Sequence, residues 1–187
     1  MALETSLRLK TLKGWRGLLL ANLNRIPQRY YSQLVLDDFS YEDQKIICES
    51  EATIIGCGGL GSPLAVYLVA AGVGKINLID FDAVEERNLH RQVFYKESDI
   101  GRKKVEALKD YLINLDKEVE VNIYPVKSSE INFKKINSNL FFDCTDNLKT
   151  SFELNEEMVN LNKPICFASA SEFNGQIIIF KNLKKEH

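Results

Sequence analysis

Several short groups of residues in this 187-residue chain have types and spacings that could do chemistry. Gly56-Cys57-Gly58-Gly59-Leu60-Gly61 fits G-x-G-x-x-G, between the apolar run Ala52–Ile55 and the apolar helical stretch Leu60–Ala71. Glycines between a strand and a helix let the backbone turn tightly, and they bring free N–H groups and the positive end of the helix to a phosphate. Asp80 ends the next apolar run, Lys75–Ile79, where an acid would meet ribose hydroxyls. That loop by itself does not choose among NAD, FAD and ATP. Asp80-Phe81-Asp82 carries a second acid, and Asn88-Leu89-His90-Arg91-Gln92 follows. Gly101-Arg102-Lys103-Lys104-Val105-Glu106 opens another helix, and Asp143-Cys144-Thr145-Asp146-Asn147 ends another strand. A dehydrogenase needs few cations at such a site. A triphosphate needs several, together with a carboxylate for magnesium, and Arg91, Lys104 and Asp146 supply that set.

These groups need elements that bring them to one edge. The patterning predicts strands at Ala52–Ile55, Lys75–Ile79, Val119–Tyr124, Leu140–Phe142, Pro164–Ala168 and Gln176–Phe180. It predicts helices at Leu60–Ala71, Arg102–Leu115 and Asn147–Leu161, the last opened by Asp146 as a cap. Alternating strands and helices imply an α/β fold, a doubly wound, mainly parallel sheet with helices on both faces. In that fold all the groups above fall at the carboxyl edge of the strands. The last two strands are joined by only Ser-Glu-Phe-Asn-Gly, too short for a parallel crossover, so they should run antiparallel. Ser6–Arg25 mixes Leu with Lys and Arg at helical spacing and reads as an amphipathic helix, broken by Pro27. The domain reading is therefore an N-terminal helical extension over 1–45 and a nucleotide-binding domain over 46–187.

Composition narrows the function classes. With 24 basic and 26 acidic residues the chain is close to neutral, so nucleic acid is not its expected partner. The 4 cysteines are scattered without a Cys-x-x-Cys pair, which argues against a zinc site or disulfide framework in this chain and for reduced thiols in the cytoplasm. The apolar run at Leu18-Leu19-Leu20-Ala21 is too short to be a signal or a membrane span. Cys57 and Cys144 lie inside motifs without flanking bases and read as packing groups rather than nucleophiles.

Gly-Cys-Gly-Gly-Leu-Gly-Ser, Ala-Gly-Val-Gly, Asp-Phe-Asp, Asn-Leu-His-Arg-Gln and Asp-Cys-Thr-Asp-Asn occur in this order. Together they resemble the ThiF/MoeB/HesA family, relatives of ubiquitin-activating enzymes, from about Arg29 to Phe180. The resemblance implies a Rossmann-like fold, a homodimer, and ATP- and Mg2+-dependent adenylation of the C-terminal glycine carboxylate of a small sulfur-carrier or ubiquitin-like protein with a Gly-Gly tail. It implies that Asp80 holds the ribose, that Asn88, Arg91 and Lys104 contact the phosphates, and that Asp146 holds the metal. The full candidate nucleotide-binding set is Gly56, Gly58, Gly59, Gly61, Asp80, Asp82, Asn88, Arg91, Gln92, Lys104 and Asn147. Arg91, Lys104 and Asp146 are the catalytic candidates. His90, inside a motif, is read as a bystander.

Two positions depart from the family pattern. Ser32 stands where the family carries an arginine that reaches across the dimer, and Ser151 replaces an arginine five positions after the metal aspartate. Serine cannot supply a cationic fork. The chain also ends about where the family's zinc-binding Cys-x-x-Cys pair begins, so it reads as C-terminally short. The alternatives are a catalytically weakened member that binds nucleotide or carrier, and an NAD-dependent oxidoreductase resting only on the glycine loop and Asp80.

Overall fold

The computed structural model describes residues 28–181. The helix expected over Ser6–Arg25 lies outside the described residues. The described chain forms two compact units that part between Ile46 and Ile47.

Near the boundary runs a helix not foreseen as a separate element, α1 (Tyr41–Cys48). Its start is encoded in Ser40-Tyr41-Glu42-Asp43. The Ser40 hydroxyl accepts from the Asp43 amide at 3.1 Å, and the Asp43 carboxylate accepts from the Ser40 amide at 2.7 Å. This reciprocal pair satisfies two N–H groups that a helix start leaves without partners.

The second unit is a six-stranded sheet: β1 (Glu51–Ile55), β2 (Lys75–Ile79), β3 (Glu120–Tyr124), β4 (Leu140–Asp143), β5 (Ile165–Ser171) and β6 (Asn174–Phe180). The spatial order is β3-β2-β1-β4-β5-β6. β1 to β5 are parallel and β6 is antiparallel to β5, as the short link between them required. That link is a tight hairpin with Glu172 in the left-handed region (φ 54°).

Strand residues alternate between two cores because successive side chains face opposite sides. Ile54, Ile76 and Leu78 pack with α2 (Gly61–Ala71) and α3 (Lys104–Leu115) on one face. Ile55, Ile79, Phe141 and Ile165 pack on the other with Leu154 and Met158 of α4 (Leu148–Leu161). Both faces of the central strands are thus covered, which is why four consecutive residues of β1 and of β2 are buried instead of every second one. The architecture is a Rossmann-like, doubly wound α/β sheet.

Asp146 does not cap α4. The cap is Asn147, whose side-chain oxygen accepts from the amides of Lys149 and Thr150 at 2.9 and 3.3 Å. A capping side chain must sit next to the first helical turn, and α4 begins at Leu148, which gives that place to residue 147.

A polar ladder crosses the middle of β1, β2 and β3. Thr53, Asn77 and Asn122 are in register on β1, β2 and β3. Asn77 donates to Thr53 and Ser138, and Asn122 donates to Asn77. Satisfied buried polar groups of this kind fix strand register, since a one-residue slip would leave each of them unpaired.

Candidate functional site

The strand order reverses between β1 and β4, and the crevice at such a switch point lies outside the carboxyl ends of the strands. The residues after β1 shape it. Gly56 has φ +89°, and a β-carbon there would lie 2.8 Å from the Cys144 carbonyl oxygen, so only glycine lets the loop pass β4 so closely. At Gly61 a β-carbon would lie 1.8 Å from the Gly56 carbonyl oxygen. The loop therefore closes on itself at the start of α2.

Several bonds hold the loop in that shape. The Gly56 amide donates to the Ile79 carbonyl at 2.9 Å, and the Ser62 hydroxyl donates to the Gly58 carbonyl at 2.7 Å. Asp80 accepts from the Cys57 amide at 2.7 Å through one oxygen and from the Asp82 amide at 2.8 Å through the other. Each oxygen keeps acceptor capacity, since a carboxylate has about four lone-pair sites. Buried Tyr95 donates its hydroxyl to the Cys57 carbonyl at 2.6 Å. Burial, and then the proximity of Cys57 and Asp80, hold the Tyr95 phenol above its ordinary range, so it remains a donor. No hydrogen bond among the described residues takes the amides of Gly58, Gly59 or Leu60. Consecutive free amides at a helix start form an anion site.

The cations arrive by a separate device. Residues 82–84 pair with 101–104: Val84 N–H donates to Arg102 O, Gly101 N–H to Val84 O and Lys104 N–H to Asp82 O. This closes the base of the 85–100 excursion and sets buried Lys104 with its Nζ 2.8 Å from Asp82 Oδ2. The excursion returns Asn88, Arg91 and Gln92 to the glycine loop. The aliphatic stem of exposed Arg91 lies 3.7 Å from where a Gly59 side chain would begin. Gln92 is buried against Gly58 with an unpartnered Oε1. His90 is exposed, and its Nε2 lies 3.4 Å from the Arg91 guanidinium.

Across the crevice, β4 ends in buried Asp143. Its carboxylate accepts from the Thr145 amide and hydroxyl at 2.9 and 2.7 Å and from the Ser151 hydroxyl at 2.5 Å. No cation joins it among the described residues. Ser151 is therefore occupied with Asp143 at the site of the expected family arginine. Exposed Asp146 makes no hydrogen bond among the described residues and lines the same cleft. No cluster of three His, Cys, Asp or Glu side chains there could hold a metal by itself. Magnesium is commonly held by one or two carboxylates plus substrate phosphates, and Asp146 fits that arrangement. Cys57 is fully buried, and burial first, then nearby Asp80, raises its thiol well above the usual range; burial pushes Cys144 up to about 12.

The cleft thus gathers Gly56, Gly58, Gly59, Asp80, Asp82, Asn88, Arg91, Gln92, Lys104, Asp146 and Asn147, while Gly61 is buried at the start of α2 and does not line it. It also includes residues that sequence patterning passed over. Phe81 lies under the Lys127 ammonium, 5.5 Å from its ring centroid, beside the segment after β3. Leu148 and Phe152 of α4, with Ile178 of β6, form an exposed apolar flank. Their common location depends on the β4–β5–β6 order, which apolar spacing does not reveal. Ser32 lies in the other unit and is exposed.

Fold and loop define a Rossmann-like α/β module with a glycine loop at its topological switch point. The chain belongs to the ThiF family, whose family model matches residues 30–187. It is 38% identical over 81% of its length to Adenylyltransferase and sulfurtransferase MOCS3 of Caenorhabditis briggsae, of which it spans 38%. It is 37% identical, again over 81%, to the Sulfur carrier protein adenylyltransferase of Thermus thermophilus, of which it spans 57%. Among solved structures it is similar to E. coli MccB bound to AMPCPP and MccA, with TM-score 0.69 and 27% identity over 74% of this chain and 42% of that one. It is also similar to MccB with ATP, with TM-score 0.61 and 30% identity over 67% and 38% of the two chains.

Proposed function

We propose that residues 46–187 form the adenylation domain of an enzyme that activates the C-terminal glycine carboxylate of a small sulfur-carrier or ubiquitin-like protein. The observation that carries this reading is the convergence in one cleft of free loop amides, Arg91, Lys104 and Asp146. The relatives named for acting on carriers, and MccB with its ATP analogue, support it.

A carboxylate is a poor electrophile. Attack of its oxygen on the α-phosphorus of ATP makes an acyl adenylate and releases pyrophosphate. Both partners are anionic, so donors fixed in advance around the phosphates are what lowers the barrier. The amides of Gly58 to Leu60 would hold phosphate oxygens, Asn88, Arg91 and Gln92 would line them, and Asp80 would meet the ribose. Lys104 would stay aimed by Asp82. Asp146 would hold magnesium, which screens phosphate charge when bound. A homodimer and a cytoplasmic address belong to the same proposal, on the family resemblance and the scattered cysteines. No helix among the described residues is long and apolar enough to cross a membrane.

Pyrophosphate exchange with a Gly-Gly carrier present tests the reaction. Exchange that needs ATP, magnesium and the carrier together is the expected result. ATP binding without exchange would instead favour a weakened, binding-only member. That second reading has its own support: Ser151 is engaged with Asp143 and offers the phosphates no charge. A thermal shift with NAD and none with ATP would overturn both readings.

A further inference from the structure

We propose that Tyr95 is a positioning residue for the phosphate-binding loop, setting the direction of the Gly58 N–H. The inference rests on the nucleotide reading of this cleft. It starts from the two bonds that grip Cys57 from opposite sides. Asp80 accepts its N–H at 2.7 Å, and Tyr95 donates to its C=O at 2.6 Å. The carbonyl of residue 57 and the N–H of residue 58 belong to one planar, trans peptide, so they point in opposite directions. Holding the carbonyl toward Tyr95 therefore holds the Gly58 N–H away from it.

Glycine at 58 makes such a restraint necessary. A residue without a β-carbon turns its peptide plane at little cost, and a β-carbon at Gly58 would meet nothing closer than Gln92 Nε2 at 3.5 Å. Packing alone does not hold that plane. The Gly56 end of the loop is held by its own amide bond to the Ile79 carbonyl, and at the Gly61 end the chain passes so close to the Gly56 carbonyl that a β-carbon would clash. Tyr95 acts on the stretch between them, where the free amides begin. Tyr95 itself is fixed in the core beneath α2 and α3, so it transmits the rigidity of that core to the loop.

The variant is Tyr95→Phe, which keeps the buried ring and removes the hydroxyl. Binding of ATP and of adenosine is measured by calorimetry on parent and variant. Adenosine carries the base and ribose but no phosphate, so it does not use the Gly58 N–H. One lost neutral hydrogen bond is worth roughly a fivefold to tenfold change in affinity. The expected result is that loss for ATP, with adenosine unchanged. Equal changes for both ligands, or none for ATP, would overturn the inference, since a purely structural role lowers stability without separating them. Failure of the parent to bind ATP would sink the nucleotide reading, and the inference with it. Should Tyr95→Phe not fold, the parent alone decides by amide NMR. A Gly58 amide resonance that shifts with ATP and not with adenosine supports the assignment. One that ignores ATP overturns it.

Discussion

Ser151→Ala separates a serine that merely replaces an arginine from one that does structural work. Ser151 donates to the Asp143 carboxylate, which is 2% exposed and, among the described residues, has Thr145 as its other donor residue. A hydrogen bond to a charged group is worth roughly 1.5–3 kcal/mol. Two Thr145 bonds remain and Ser151 is half-buried, so the lower end applies, about 1.5 kcal/mol. For a chain of this size that is a fall in Tm of about 3–6 °C. Urea and thermal denaturation of parent and variant measure it. A loss below about 0.5 kcal/mol, typical of an ordinary surface change, would refute the reasoning. Ser151→Arg is the companion. Its guanidinium meets Asp143 before any phosphate, because a buried carboxylate without a cation is the nearest and strongest acceptor. It should restore the stability lost in Ser151→Ala and leave pyrophosphate exchange unchanged. Accelerated exchange by Ser151→Arg alone would show that position 151 reaches the nucleotide after all.

The cap and the metal candidate should separate cleanly: Asn147→Ala should cost about 1 kcal/mol of stability in a urea melt, while Asp146→Ala should leave the melt unchanged and abolish magnesium-dependent exchange. Gly61→Ala forces a β-carbon onto the Gly56 carbonyl oxygen, and Gly74→Ala forces one to 1.9 Å from the Cys48 carbonyl oxygen, so both should lower Tm. Since the loop itself is distorted only in the first, folded Gly61→Ala should also lose ATP in a binding titration, and folded Gly74→Ala should keep it. Cys144, with its thiol pushed up to about 12 by burial, should resist iodoacetamide at pH 8 in the native protein and react once urea unfolds it, as mass spectrometry would show. Because the folded value is raised, the stability tied to that thiol is present below the unfolded value near 8.5 and is lost as pH rises through about 12.

The sequence by itself determined the ordering of the fold. Apolar runs such as Ile54-Ile55 and Leu78-Ile79 mark strands buried on both faces, and the glycine loop between β1 and α2 needs no tertiary partner to be recognised, because glycine spacing is a local backbone property. The antiparallel β6 followed from chain length alone. Local patterning also located the candidate cations and acids, whose positions at strand ends follow from the doubly wound order. Tertiary structure decided what each side chain touches. Lys104 meets Asp82 because 82–84 pair with 101–104 across a long excursion, a contact that helical and strand periodicities do not encode. Tyr95 reads as one more aromatic in the chain, and only packing under the loop turns its hydroxyl toward the Cys57 carbonyl. Ser151 could be read only as a missing arginine, since its acceptor, Asp143, is on a different element. Asp146 and Asn147 are both good caps by type, and a one-residue difference in where α4 begins gave the cap to Asn147 and left Asp146 facing the cleft. Residue type and local spacing limit which contacts are possible, but the choice among them is made by long-range packing, whose partners lie too far apart in the chain for any short pattern to connect.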